Sequence, residues 1–144
     1  MTGVATHPHP NRSAAVALLE SAGLPVADLT DAHMQHFFYC GPASAPTAVV
    51  GVELHGEDAL LRSLVVLPER RSSGLAAALV DRAEAHARSR GARSIFLLTT
   101  TAEEYFRRRG YHSIPRAEAP PGIRNTREFA DICPATSAFM CKIF

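Results

Sequence analysis

The chain has 144 residues, 15 Lys and Arg against 14 Asp and Glu, 47% hydrophobic and 20% charged residues. Such a length suits one domain spanning 1–144, and the apolar content excludes a disordered chain. A formal charge of +1 gives no basic field, so a general nucleic-acid or anionic-lipid binder is excluded. No run reaches the roughly 18–20 apolar residues of a membrane helix. The start, Met1 to Pro10, lacks the charged and apolar regions of a signal peptide. Cys40, Cys133 and Cys141 are an odd number without C-x-x-C spacing. They fit reduced thiols, and hence a cytoplasmic protein.

Ser13 to Ala22 has helical apolar spacing through Ala14, Leu18 and Ala22, stopped by Gly23 and Pro25. A second short helix is expected to begin near Asp28 or Thr30 and to end before Phe37. Phe37–Cys40 reads as a strand. Thr47–Leu54 and Ala59–Leu67 read as a hairpin turning at His55–Asp58. Gly74 to Arg90 is a helix, with Leu75, Leu79 and Ala83 on one face and Gly91 as its stop. Ser94–Thr99 follows as a buried strand, then a short helix over Ala102–Arg109 ending at Gly110. Thr126–Phe129 reads as a helical turn and Phe139–Phe144 as a last strand. A meander followed by β-α-β is the order of an α+β fold with a mixed sheet.

Two segments carry chemistry. In Leu64-Val65-Val66-Leu67-Pro68-Glu69-Arg70-Arg71-Ser72-Ser73-Gly74-Leu75-Ala76 a strand runs through a loop into a helix. Free N–H groups of the first helical turn favour an anion, and Arg70 and Arg71 add donors for phosphate oxygens. The pattern is neither a P-loop nor a G-x-G-x-x-G turn. The second segment, Thr99 to Tyr111, follows the buried strand after the crossover helix.

Together these segments resemble the GNAT superfamily of N-acetyltransferases. Leu64, Val66 and Pro68 match the family's Leu-x-Val-x-Pro strand. Arg71, Gly74 and Ala76 match its Q/R-x-x-G-x-G/A loop, and Ala102, Phe106, Gly110 and Tyr111 its later motif. The resemblance implies a GNAT-like α+β fold with a mixed, mostly antiparallel sheet of about six to seven strands flanked by helices. It also implies acetyl-CoA as co-substrate and no metal. Leu64, Val65 and Val66 would pair with pantetheine and the thioester; Arg71, Ser72, Ser73, Gly74, Leu75, Ala76 and Ala77 would take the diphosphate. Thr99, Ala102, Phe106 and Arg109 complete the expected cofactor site, Arg109 toward the 3′-phosphate. The flanks, including Ile123–Phe129 and Cys133-Pro134, resemble the arsenic-resistance acetyltransferases called ArsN. That narrower likeness implies a small amino-acid-like amine of the arsinothricin or phosphinothricin type. A monomer or a homodimer is compatible with the superfamily.

Two positions depart from the family pattern. Phe106 stands where a tyrosine often serves as general acid, and it has no proton to give. Tyr105 lies about 100° around the helix and is expected to point elsewhere. Thr99 replaces an asparagine. Glu53 is the candidate base, or else an exposed hairpin carboxylate. Arg62, expected on the same pleat face as Leu64 and Val66, either meets a carboxylate partner or binds an anionic substrate group. Arg124, Arg127 and Phe37 are further substrate candidates. His33 and His36 lack a third metal ligand. Besides a transferase acting on small amines, an acyl-CoA sensor with little turnover and a peptide N-acetyltransferase are alternatives.

Overall fold

Asn11 starts the first helix, α1 (Arg12–Ser21), by accepting the Ala14 N–H on its side-chain oxygen at 3.1 Å. The helix ends in a Schellman-type turn, with Leu24 N–H on the Leu19 carbonyl and Gly23 at φ 73°. Its buried face is Ala15, Leu18 and Leu19. The computed structural model describes residues 4–126, 129, 130 and 137–144. The helical turn expected at Thr126–Phe129 includes positions outside the described residues.

The second predicted helix is absent. Only a single 3-10 turn forms at His33–His36, with three-residue bonds such as Met34 N–H to Asp31 C=O. Thr30 explains the difference locally: its hydroxyl and N–H both bond the His33 ring, offering the backbone an alternative to a helix.

Among the described residues the strands are β1 (His7–Pro8), β2 (Phe37–Cys40), β3 (Ala48–His55), β4 (Asp58–Val66), β5 (Ser94–Thr99), β6 (His112–Ser113) and β7 (Ala138–Ile143). They form one seven-stranded sheet in the order β1-β2-β3-β4-β5-β7-β6. Neighbours are antiparallel except β4 and β5, which α2 (Leu75–Ser89) connects as a crossover. Two short helices, α3 (Glu103–Arg108) and α4 (Pro121–Arg124), follow β5 and β6. One core lies between the sheet and α2, through Leu79, Val80, Ala83 and Ala87. On the other face α1 covers Val49 and Val65, while Ile123 of α4 covers Leu60.

Two features of this sheet make the site. The parallel pairing of β4 with β5 stops after Asp58–Leu60 against Ser94–Phe96, and beyond it the strands part. Against β3, moreover, β4 carries a bulge: Val49 faces Val65 but Gly51 faces Arg62, with Ser63 at φ 60°. The extra residue reverses the alternation. Leu64 and Val66 therefore join Leu61 on the α2 face, whereas Arg62 lies with Leu60 and Val65 on the face of α1 and α4. The expectation that Arg62 shares a face with Leu64 and Val66 is thus corrected.

Phe37 is also corrected. Its side chain is fully buried and lies over Gly51, its cross-strand partner, where a Cβ would sit 2.2 Å from the ring. The ring fills the space that a missing side chain leaves, so it is core. Gly51→Ala is therefore expected to overpack this contact and cost about 1–3 kcal/mol. Urea unfolding of the two proteins at neutral pH measures the difference, and an unchanged midpoint would refute the packing account.

Candidate active site

Where β4 and β5 part, a cleft of about 400 Å³ opens between Leu61–Leu64 on one side and Leu97–Ala102 with Phe106 on the other. Gly23, Leu24 and Pro25 of the loop after α1 and Ser137 before β7 close its ends. Strand β4 leads from this cleft to a second cavity of about 180 Å³, lined by Val66, Arg70, Arg71, Ser72, Gly74, Leu75, Ala76, Ala77 and Tyr105. Here Gly74, at φ 85°, caps α2. The first bond of that helix runs from Ala78 N–H to the Gly74 carbonyl at 3.1 Å. The N–H groups of Leu75, Ala76 and Ala77 thus have no helical partner and point out of the helix end. The Ser73 hydroxyl bonds the Arg70 carbonyl and tightens the loop. Small side chains, outward N–H groups and two arginines make a seat for a diphosphate.

Under the sheet, on the α1 face, lies a charged cluster. The Arg62 guanidinium has no exposed surface. It forms a two-pronged pair with Asp28, its Nη2 2.9 Å from Oδ1, and its Nη1 lies 2.7 Å from Glu53 Oε2. Arg62 Nε donates to Ser63 Oγ at 3.1 Å. Glu53 is also in contact with His55, Nε2 to Oε1 at 3.2 Å, and with His33 at 4.0 Å. Burial works against the charge on Glu53, but hydrogen bonds from His55 and Arg62 outweigh it and hold its pKa below the ordinary carboxylate value. Asp28 behaves alike: burial opposes its charge, and the bonds and charge of Arg62 prevail. Asp28, His33 and Glu53 each bring a possible metal-ligand atom within 4.8 Å of the others. Arg62 already supplies the cation to both carboxylates.

A family model described as the Acetyltransferase (GNAT) family matches residues 11–117, which contain both cavities' loops and the charged cluster. The chain belongs to the Acetyltransferase (GNAT) family. No curated protein matches the sequence. Among solved structures, N-acetylglutamate synthase from Neisseria gonorrhoeae, complexed with coenzyme A and N-acetyl-glutamate, superposes with a TM-score of 0.81 at 17% identity. That match covers 99% of this chain but 35% of the synthase, so the chain spans about a third of that protein. A Mycobacterium tuberculosis protein in complex with CoA and NLQ gives 0.78 at 17% identity, over 97% of this chain and 99% of its own. A GNAT-family acetyltransferase from Staphylococcus aureus Mu50 gives 0.74 at 12% identity, over 98% and 99%. At these identities the likeness establishes the GNAT fold.

Within that fold the expected residues divide. Leu64, Thr99, Ala102 and Phe106 line the cleft, and Val66, Arg71, Ser72, Gly74, Leu75, Ala76 and Ala77 line the loop cavity. The Val65 side chain faces away into the α1 core. Arg109 lines neither cavity; it pairs with Asp81 on α2. Arg127 lies outside the described residues, as does Cys133. Arg124 caps backbone carbonyls of Ala117 and Ala119. His36 meets His86 at 2.9 Å rather than His33. Cys40 and Cys141 are buried in different core clusters, and burial raises both thiol pKa values, that of Cys141 to about 11.

Sequence reasoning missed Asp28, His55, Tyr105 and Ser137. Asp28 sits in a loop that reads as a helix, and nothing local links it to Arg62. Tyr105 does point away from the cleft, as expected, but it lines the cavity at the start of α2.

Arg62→Met would leave Asp28 and Glu53 buried without their cation, at a cost of about 3–5 kcal/mol near pH 7. Both carboxylates have lowered folded pKa values. Their contribution is therefore complete above the ordinary values of 3.8 and 4.5 and is lost as pH falls below them. Urea melts from pH 7 to pH 3 should show the wild type losing stability at the acid end, and the gap to Arg62→Met closing there. A gap independent of pH would contradict the pairing.

Proposed function

We propose that this chain, acting as one domain, transfers the acetyl group of acetyl-CoA to the primary amine of a small, amino-acid-like substrate. The observation that carries this reading is the continuity of the fork with the helix-end cavity along one edge of β4. An extended thioester conjugate with a diphosphate has the shape and chemistry of that path. The N–H groups of Leu75, Ala76 and Ala77, with Arg70 and Arg71, hold the diphosphate. The free edge of Leu64–Val66 aligns the pantetheine arm, as an added strand would. Acetyl-CoA supplies an activated acyl carbon and a thiolate leaving group. The fork holds that carbon in the orientation attack requires.

The amine must lose a proton before or as it attacks. We assign Glu53 as its acceptor, with His55 beside it as the route outward. Because Glu53 is a weak base when so strongly hydrogen bonded, the residue also serves to hold the ammonium form near the cluster. Phe106 gives no proton, and this favours the sensor reading as the second one. CoA release across a panel of small amines separates the two.

The ArsN-like flanks would narrow the substrate to arsinothricin- or phosphinothricin-type amines, which carry an acidic group. Arg62 is engaged by two carboxylates, so that group would need another cation, and we assign Arg127 to it. Loss of discrimination between an acidic amine and its neutral analogue in Arg127→Gln would support this assignment.

Acetyl-CoA at about 100 times its dissociation constant should add roughly 2.7 kcal/mol of stability, or about 5–10 °C in Tm. Arg71→Glu and Ala76→Glu should abolish that rise. Ala76→Glu is the sharper test, since a carboxylate in the first turn favours the helix while repelling a diphosphate. No rise with the wild type at millimolar acetyl-CoA would overturn the reading.

A further inference from the structure

Four hydroxyls besides that of Ser137 border the cleft. Thr99 Oγ1 accepts the Ala102 N–H at 3.0 Å and is occupied in shaping the turn into α3. Ser63 Oγ accepts from Arg62 Nε. Thr100 and Thr101 are exposed and can bond water. Ser137 differs from all of them. The residue is 6% exposed, and its hydroxyl is buried with no hydrogen-bond partner among the described residues. Its backbone is nevertheless held firmly: the carbonyl accepts from Arg116 Nη2 at 3.1 Å, and the next residue, Ala138, pairs with Thr99.

A buried hydroxyl without a partner is destabilising, and native structures rarely keep one without a use. The cleft around it is walled by Leu61, Leu64, Leu97, Leu98, Ala102 and Phe106. The partner it lacks is therefore to be brought by the ligand, and in so apolar a cleft an anionic acceptor is the one that most needs a donor. Two anions form in the proposed reaction: the tetrahedral oxygen, which the unpaired N–H groups of the β4 edge can hold, and the departing thiolate, which is left to the side chains of the cleft.

We infer that the Ser137 hydroxyl donates a hydrogen bond to the CoA sulfur as the acetyl group leaves, making Ser137 a catalytic residue in the place that Phe106 cannot fill. This rests on the acetyl-transfer reading. In the step, the amine nitrogen forms the new C–N bond and the C–S bond breaks, its electron pair going to sulfur. The amine proton leaves toward Glu53 and solvent. Ser137 keeps its own proton throughout, because a thiolate is a far weaker base than an alkoxide, and it stabilises the sulfur charge by donation alone. The free CoA thiol is reprotonated from water.

Titrating the ultraviolet thiolate absorbance of CoA bound to the wild type and to Ser137→Ala tests this without requiring the amine to be known. The variant is expected to raise the pKa of the bound thiol by about 1 to 2, as loss of a hydrogen bond to a charged group would. Its Tm should be unchanged or higher, since the deleted hydroxyl has no protein partner. With any amine that the wild type acetylates, kcat should fall about 10- to 100-fold with little change in KM. Phe106→Tyr added to Ser137→Ala should recover part of the loss. An identical thiol pKa in the two proteins, or a lower Tm in Ser137→Ala that reveals a structural bond, would overturn the inference. Failure of the acetyl-transfer reading is seen separately, as the absence of any Tm rise with acetyl-CoA in the wild type.

Discussion

Strands β4 and β5 hold each other only over Asp58–Leu60 and Ser94–Phe96, and the backbone beyond must find other partners. It does so outward. The last half of β4 stays on β3, and Leu97–Thr99 of β5 stay on β7. Each strand is thus anchored on one edge and open on the other, inside the molecule rather than at its rim. Unpaired edges of this kind are ordinarily a liability. Here they are kept apart by α2 behind them and by the bulge at Ser63, which turns Leu64 and Val66 toward α2. The same gap that leaves peptide groups unpaired makes room for an extended ligand to pair with them. Fold and site are consequences of one interruption in one pair of strands.

The bulge has a second effect, on charge. By reversing the alternation at Ser63 it sends Arg62 to the face of α1, where Asp28 and Glu53 receive it. A buried ion pair is weak evidence for stability, since its desolvation offsets much of its attraction. Its geometric effect is clearer. Asp28 belongs to the loop between α1 and β2, Glu53 to β3 and Arg62 to β4. A two-pronged contact therefore ties the loop that closes the cleft to the strands that form it. An apolar contact could bind the same elements, but it would not set the angle of the loop as planar guanidinium and carboxylate groups do.

What could be read from the sequence was what depends on near neighbours. The helix from Leu75, its stop at Gly91 and the strand Ser94–Thr99 are written in apolar period and a terminal glycine, and the structure has them within a residue or so. The passage from β4 through a loop into α2 was legible for the same reason, since a strand, a loop and a helix start are consecutive. Features set by distant partners were not. β1 and β6 are two-residue strands that exist only through their pairing with β2 and β7. The face of Arg62 is not legible locally, because the bulge depends on the register of β4 against Val49 and Gly51, which no local spacing reveals. Phe37 looked available because the glycine beneath it lies fourteen positions away. Ser137 carries no pattern at all; its significance is a missing hydrogen bond, which only coordinates can show.

The absence of a hydroxyl at position 106 has a packing explanation. Phe106 is buried edge-on against Tyr105 and Tyr111, and the Tyr111 hydroxyl donates to Glu84, which in turn receives Lys142. The junction of α3 with α2 is therefore closed by an aromatic cluster in which the Tyr111 hydroxyl is satisfied by Glu84, while the Tyr105 hydroxyl is buried with no partner among the described residues. A ring at 106 serves that junction and the cleft wall together, and an apolar one serves both without a further partner. Such a wall raises the local importance of every remaining donor, because charge on sulfur is poorly solvated there. A leaving group as weakly basic as a thiolate needs stabilisation more than it needs a proton. In the proposed transfer, turnover in this cleft therefore depends on donors within reach of the sulfur, and not on an acid at position 106.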